Sequence, residues 1–298
     1  MLPRFEHRRL SSLTEDDATE LIAAMRKPTR TRPNGYLGST IRSALLPLSR
    51  VLAHAARRGL IPTDPLDRLE RGERPKASSG EMRCLDTNEI GKLLDASDDP
   101  AMRTLLALSV SAGLRQGEAV GLRWADLDLA TSRLRVRWQL GRDGKLVEPK
   151  TEQAKREVDL GPSLVAMLRE HKLRSLRSQP GDYVFASADG SPFSYLRVSR
   201  TLRTISDGAA LNPDGTAKLR WHDLRHSAAS ALISAGLNVV YLSRQLGHAN
   251  PSITLNTYKH LFARAEHAER ARSAMDAVLV SAVDRRRGET FRERRAAP

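Results

Sequence analysis

The chain has 298 residues, enough for two domains, and 40% of them are apolar, enough to bury a sizeable core. Lysine and arginine number 49 against 35 aspartates and glutamates, and the resulting charge of +14 points to a polyanionic partner, most simply nucleic acid. Aromatic residues at 4% argue against a platform for stacking single-stranded bases, and Cys84, the only cysteine, excludes an intramolecular disulfide or a cysteine-built zinc site. A reducing cytoplasm fits that cysteine usage, no apolar run is long enough for a membrane span, and the charged start Met1 to Leu10 predicts no signal peptide.

In chain order, Thr14 caps a helix running to about Arg26, with Asp17 three residues on as a shorter relative of the capping-box acid. Residues 27–39 read as a loop with proline and glycine. A longer helix spans about residues 40–58, with Ile41, Leu45, Leu48, Leu52 and Ala55 on one face at spacings of four and three. Arg42, Arg50 and Arg57 share another face, which either contacts DNA or is simply solvated. The polar stretch from Glu70 to Gly80 reads as a linker. The expected organisation is a helical domain over residues 1–72, a linker over 73–82, a second domain over 83–284 and a basic, disordered tail over 285–298.

Beyond the linker, Asp86 caps a helix over residues 88–95, and 100–111 is an apolar helix. The strand-rich region follows. Residues 133–140 read as one strand, Gly141-Arg142-Asp143-Gly144 as a turn, and Leu146-Val147 and 157–160 as further strands. Helices return at 162–177, 194–205, 222–235, 239–246, 251–261 and 263–280.

Four pieces carry chemistry. Arg115 follows an apolar helix that ends at Gly113, and Lys150 sits at a turn between strands; either alone reads as a surface charge. His222 and Arg225, three apart, share a helix face near its N-terminus. His222 and His226, four apart, have the spacing of zinc ligands, but Asp223 stands where that motif wants a glutamate and Arg225 would oppose a metal. His248 in Leu-Gly-His precedes Tyr258 by ten residues, and a helical tyrosine alone reads as core. Together, two arginines, two histidines, a lysine and a tyrosine suit a phosphodiester. Guanidiniums match phosphate oxygens bidentately and neutralise a five-coordinate transition state. A tyrosine nucleophile needs a cationic surround and a proton acceptor, which histidine supplies near neutral pH, and a lysine can protonate the leaving oxygen. No carboxylate cluster is present to hold magnesium, so neither a metal nor another cofactor is called for.

In order and spacing, Arg115, Lys150, His222, Arg225, His248 and Tyr258 resemble the tyrosine recombinases of the phage integrase family. GLRQGEAVGLRW, HDLRHSAASALI and LGHANPSITLNTYKHL look like its signature boxes, and the resemblance covers about residues 13–261. It implies a mainly α fold with a small antiparallel β-sheet, the catalytic domain being preceded by a helical core-binding domain. It also implies roles. Tyr258 attacks the scissile phosphate and forms a 3′-phosphotyrosyl link, while Arg115 and Arg225 clamp that phosphate. Lys150 protonates the leaving 5′-oxygen, His222 acts as acid/base, and His248 binds a non-bridging oxygen. Glu118 matches an acidic position that orients an arginine, or else is a plain helix-surface residue. The implied partners are double-stranded DNA and a homotetramer on two sites, with residues 263–280 docking on a neighbour. Against the family pattern the start looks short, so the core-binding domain is expected to lack its first helix. The rivals are a catalytically inactive or truncated DNA-binding relative, which has no use for Tyr258, and a metal-dependent hydrolase built on His222 and His226.

Overall fold

The computed structural model describes residues 5–69, 73–76, 82–149, 151–213, 217–262, 272 and 275. The chain forms two compact units, Met1–Met82 and Arg83–Pro298.

In the first unit, α1 (Glu15–Arg26) and α2 (Gly38–Arg57) are joined by a loop. Asp17 accepts the Thr14 backbone N–H at 2.9 Å, and Glu15, Asp16 and Asp17 place three acids where a helix N-terminus favours negative charge. α2 starts at Gly38, two residues ahead of the expected start, because the Leu37 carbonyl accepts the Ile41 N–H at 3.0 Å and opens the ladder there. The periodic face is buried as the spacing predicts: Ile41, Leu45, Leu52 and Ala55 pack with Ala18, Leu21 and Ile22 of α1 and with Ile61, Leu66 and Leu69. Leu48 is only partly buried. Arg42, Arg50 and Arg57 are exposed. Of the expected linker, residues 77–81 lie outside the described residues.

The second unit opens with α3 (Thr87–Asp95) and α4 (Pro100–Ala112). Asp86 and Glu89 form a reciprocal capping box, each carboxylate accepting the other's backbone N–H at 2.8 and 3.0 Å. α4 is mostly apolar because it is the central helix: it packs on α3, on α6 (Pro162–Arg174) and on α8 (Trp221–Ser234), and Leu105, Leu106 and Leu108 are wholly buried, while Arg103 is exposed and pairs with Asp95. Between them lie the short α5 (Gln116–Val120) and two small sheets.

Strands β1 (Leu127–Asp128), β2 (Arg133–Val136) and β5 (Arg156–Asp159) form an antiparallel sheet in the order β1-β2-β5. β3 (Gln139–Leu140) and β4 (Leu146–Val147) form a separate hairpin, with Leu140 opposite Leu146. The single strand expected over 133–140 is therefore two. β2 alternates outward Arg133 and Arg135 with inward Leu134 and Val136, and the ladder stops where Arg137 turns to the buried Asp126 at 2.6 Å.

α7 (Tyr195–Gly208), α9 (Val239–Leu246) and α10 (Pro251–Phe262) complete the described part. α6 stops three residues short of its expected end. The expected helix over 263–280, apart from isolated positions 272 and 275, and the basic tail lie outside the described residues. No helix among the described residues is long and apolar enough to cross a membrane.

Candidate active site

Two helix ends frame the site. α4 ends at Gly113 with φ +65°, and α9 ends at Gly247 with φ +67°, left-handed conformations that only glycine enters without a Cβ penalty. A Cβ at 113 would lie 2.8 Å from Leu246 Cδ2, and one at 247 would lie 2.7 Å from Arg156 Nη1. The last carbonyls of a helix lack intrahelical donors, and here guanidiniums supply them. Arg225, in the second turn of α8, donates from Nη1 to Gly113 O at 2.7 Å and from Nη2 to Leu246 O at 2.6 Å. Arg115 donates from Nη2 to Gly247 O at 2.9 Å and from Nη1 to Glu118 Oε1 at 2.8 Å.

Glu118 is 2% exposed, so the helix-surface reading of it is excluded. It accepts the Arg115 backbone N–H at 2.9 Å and both terminal nitrogens of Arg156, from β5, at 3.0 and 2.9 Å. Burial works to raise its pKa, but Arg156 and then Arg115 outweigh burial and hold the carboxyl down to about 2. Arg156 also donates from Nε to Gln245 O at 2.8 Å, tying β5 to α9. Two guanidiniums, Arg115 and Arg156, thus share one carboxylate, and with Arg225 held on main-chain oxygens beside them the cluster keeps a surplus of positive charge. Burial, with Arg115 beside it, brings Arg225 down to about 9, so it stays cationic at neutral pH.

The histidines are held neutral. Burial first, then Arg225, Arg115 and Arg156, push His248 down to about 3, and its Nδ1 lies 2.7 Å from Thr254 Oγ1. Burial and Arg225 depress His222 as well. His222 and His226 meet edge to face with ring centroids 4.6 Å apart. Tyr258, on α10, is 1% exposed, and its hydroxyl lies 2.9 Å from His226 Nδ1. Burial pushes the phenol up to about 12, with Arg225 acting the other way. Among the described residues no group of three or more His, Cys, Asp or Glu side chains converges as a metal site.

Of the residues expected from the sequence, Arg115, Glu118 and Arg225 gather by hydrogen bonds around the two glycine ends, and Arg225 acts electrostatically on His222, His248 and Tyr258. Lys150 lies outside the described residues. Arg42, Arg50 and Arg57 belong to the other unit. Sequence reasoning missed Arg156, Gln245 and Thr254, and saw His226 only as a zinc ligand. Arg156 is one arginine among many in a charged strand, and nothing local marks it as the partner of a glutamate 38 residues away.

Residues 83–264 match the sequence profile of the phage integrase family. A XerC-like tyrosine recombinase of Caldanaerobacter subterraneus subsp. tengcongensis is 30% identical over 225 residues, covering 68% of this chain and 54% of that protein. Tyrosine recombinase XerC of Yersinia pestis is 26% identical over 240 residues, covering 78% of this chain and 72% of that protein. The chain spans about half the length of several curated relatives it matches, 54% and 49% in two cases. Among solved structures, the Tn1549 transposon integrase in complex with a circular intermediate DNA has a similar fold, with a TM-score of 0.74 at 20% identity over 90% of this chain and 86% of that one. Lambda integrase bound to a core site gives 0.59 at 21% identity over 86% and 83%. With the family profile matched along more than half its length, the chain belongs to the phage integrase family of tyrosine recombinases.

Proposed function

We propose that the protein is a site-specific DNA recombinase that cuts and rejoins DNA through a 3′-phosphotyrosyl intermediate on Tyr258, without metal or ATP. The observation that carries this reading is a buried tyrosine beside a guanidinium cluster whose positive charge exceeds its single carboxylate. In the cleavage step the Tyr258 oxygen bonds to phosphorus and the bond to the 5′-oxygen breaks. One covalent bond replaces another, so the energy for rejoining is kept. Arg115 and Arg225 clamp the phosphate, and His248 binds a non-bridging oxygen. His222 is an acid/base, and Lys150 protonates the leaving oxygen. Glu118 and Arg156 hold the arginines in place. Arg42, Arg50 and Arg57 contact the DNA backbone, and four subunits act on two sites.

Tyr258→Phe tests the reading. The variant removes one oxygen and leaves the packing nearly unchanged. It should bind DNA as the parent does and form no SDS-resistant adduct on a suicide substrate carrying the ends of its own genetic element, in buffer with EDTA throughout. Adducts formed by the Phe variant, or a parent reaction abolished by EDTA and restored by zinc or magnesium, would overturn it.

A further inference from the structure

The hydrogen-bond partner of the Tyr258 hydroxyl among the described residues is His226, at 2.9 Å from Nδ1. The two rings meet edge to face with centroids 5.7 Å apart, so the imidazole edge faces the phenol. His226 follows Arg225, the guanidinium fixed to both helix ends, and so shares the rigid second turn of α8. We propose that His226 is a catalytic residue of this site, and that its Nδ1 takes the Tyr258 phenol proton as the phenol oxygen attacks phosphorus. This rests on the recombinase reading above and assigns the nucleophile's proton acceptor to a residue other than His222.

In the free protein the proton stays on the phenol. Burial raises the phenol to about 12 and lowers His226 to about 4, so both are neutral, and in the tautomer with the ring proton on Nε2 the phenol donates to Nδ1. The groups facing the pair are His222, Asp223 and Arg225 from α8 itself, Arg220 just ahead of it, and Cys84 from the segment ahead of α3. Next to burial, His222 and the two arginines disfavour an imidazolium, while Asp223 favours it. A phosphodiester adds a negative charge that offsets those guanidiniums and makes His226 a stronger base. Bond formation to phosphorus then lowers the proton affinity of the phenol oxygen during attack. The Tyr–O–P bond forms, the P–O5′ bond breaks, the phenol proton moves to Nδ1, and the 5′-oxygen leaves with its electron pair and takes a proton from the general acid. On rejoining, His226 returns its proton to Tyr258, so the cycle consumes none. The nucleophile is unreactive until DNA fills the site.

The test is single-turnover adduct formation on the suicide substrate, with DNA affinity and thermal unfolding measured in parallel. His226→Ala should slow the adduct about 100-fold or more with affinity unchanged. Free imidazole, entering the space the side chain leaves, should restore that variant about tenfold and should do nothing for Tyr258→Phe. In His226→Asn the amide oxygen sits near the place of Nδ1 and accepts the phenol hydrogen bond without being basic, so it should stay slow. A substrate with sulfur at the 5′-bridging position, whose thiolate leaves without a proton, should not rescue either variant. An Ala variant within about threefold of the parent, an Asn variant as fast as the parent, or an Ala variant deaf to imidazole would each overturn the proposal. Should the Ala chain fail to fold, the Asn variant decides alone. A parent that forms no adduct would instead overturn the recombinase reading, and this assignment with it.

Discussion

A guanidinium that is 2% exposed has lost most of its hydration, and Arg225 regains hydrogen bonds from Gly113 O and Leu246 O. These acceptors are neutral, so the charge is positioned without being cancelled and stays available to an anion. Lysine at 225 would keep the charge but could not span two carbonyls with a planar fork. Arg225→Lys should therefore lower adduct formation about 100-fold or more. It should also cost about 1–3 kcal/mol in a urea melt, because one buried carbonyl loses its donor. A Lys variant matching the parent in both measurements would sink this account. At this scale Arg115, His222, Arg225, His248 and Tyr258 stand out in the sequence as a candidate set, because they are residue types whose chemistry converges on a phosphate. Their partners do not. His226 and Tyr258 are 32 residues apart, and only the packing of α10 on α8 brings the phenol to that ring.

Glu118 joins three elements at once. It caps α5 through the Arg115 N–H, pairs with Arg156 of β5, and through Arg156 reaches Gln245 of α9. Its pKa falls from 4.5 to about 2 on folding, so the stability it contributes is complete above pH 4.5 and is lost as pH falls toward 2. Glu118→Gln should be less stable by about 3 kcal/mol at neutral pH, since it strands a buried Arg156. The gap should close between pH 4.5 and 2 in denaturant melts run across that window. A gap that does not change with pH would mean that the carboxylate charge is not what holds these elements. Most helices were legible from caps and periodicity, as with Asp86 and the Ile41 to Ala55 face. The sheets were less so. β1 and β3 are two residues each, too short for an alternating pattern, and the break after Val136 is set by Asp126, a tertiary contact.

Each of the two units buries its own apolar cluster, and the described residues 73–76 of the polar stretch belong to the first unit, with Pro75 buried there and Arg74 donating to Leu66 O. Binding driven by a charge of +14 should weaken steeply with salt. Replacing Arg42, Arg50 and Arg57 together by alanine should reduce the slope of log affinity against log salt by about 0.9 for each phosphate contact removed. Stability should change little, because all three side chains are exposed. DNA titrations at several salt concentrations check this, and an unchanged slope would assign the three arginines to solvent. At the level of the whole chain, the sequence carried the order of the boxes. It carried no sign of which helix ends would meet.

The helix ends at Gly113 and Gly247 have one more consequence. Arg115 and Arg225 are both addressed by main-chain oxygens, which every amino acid possesses. No side-chain substitution at 246 can delete its acceptor, so that anchor is robust to the chemical identity of its own residue. What it depends on is the path of the chain, and that path passes through two left-handed turns that admit glycine alone without strain. For Arg225, whose acceptors are both main-chain oxygens, the vulnerability lies not in acceptor side chains but at two positions that have no side chain.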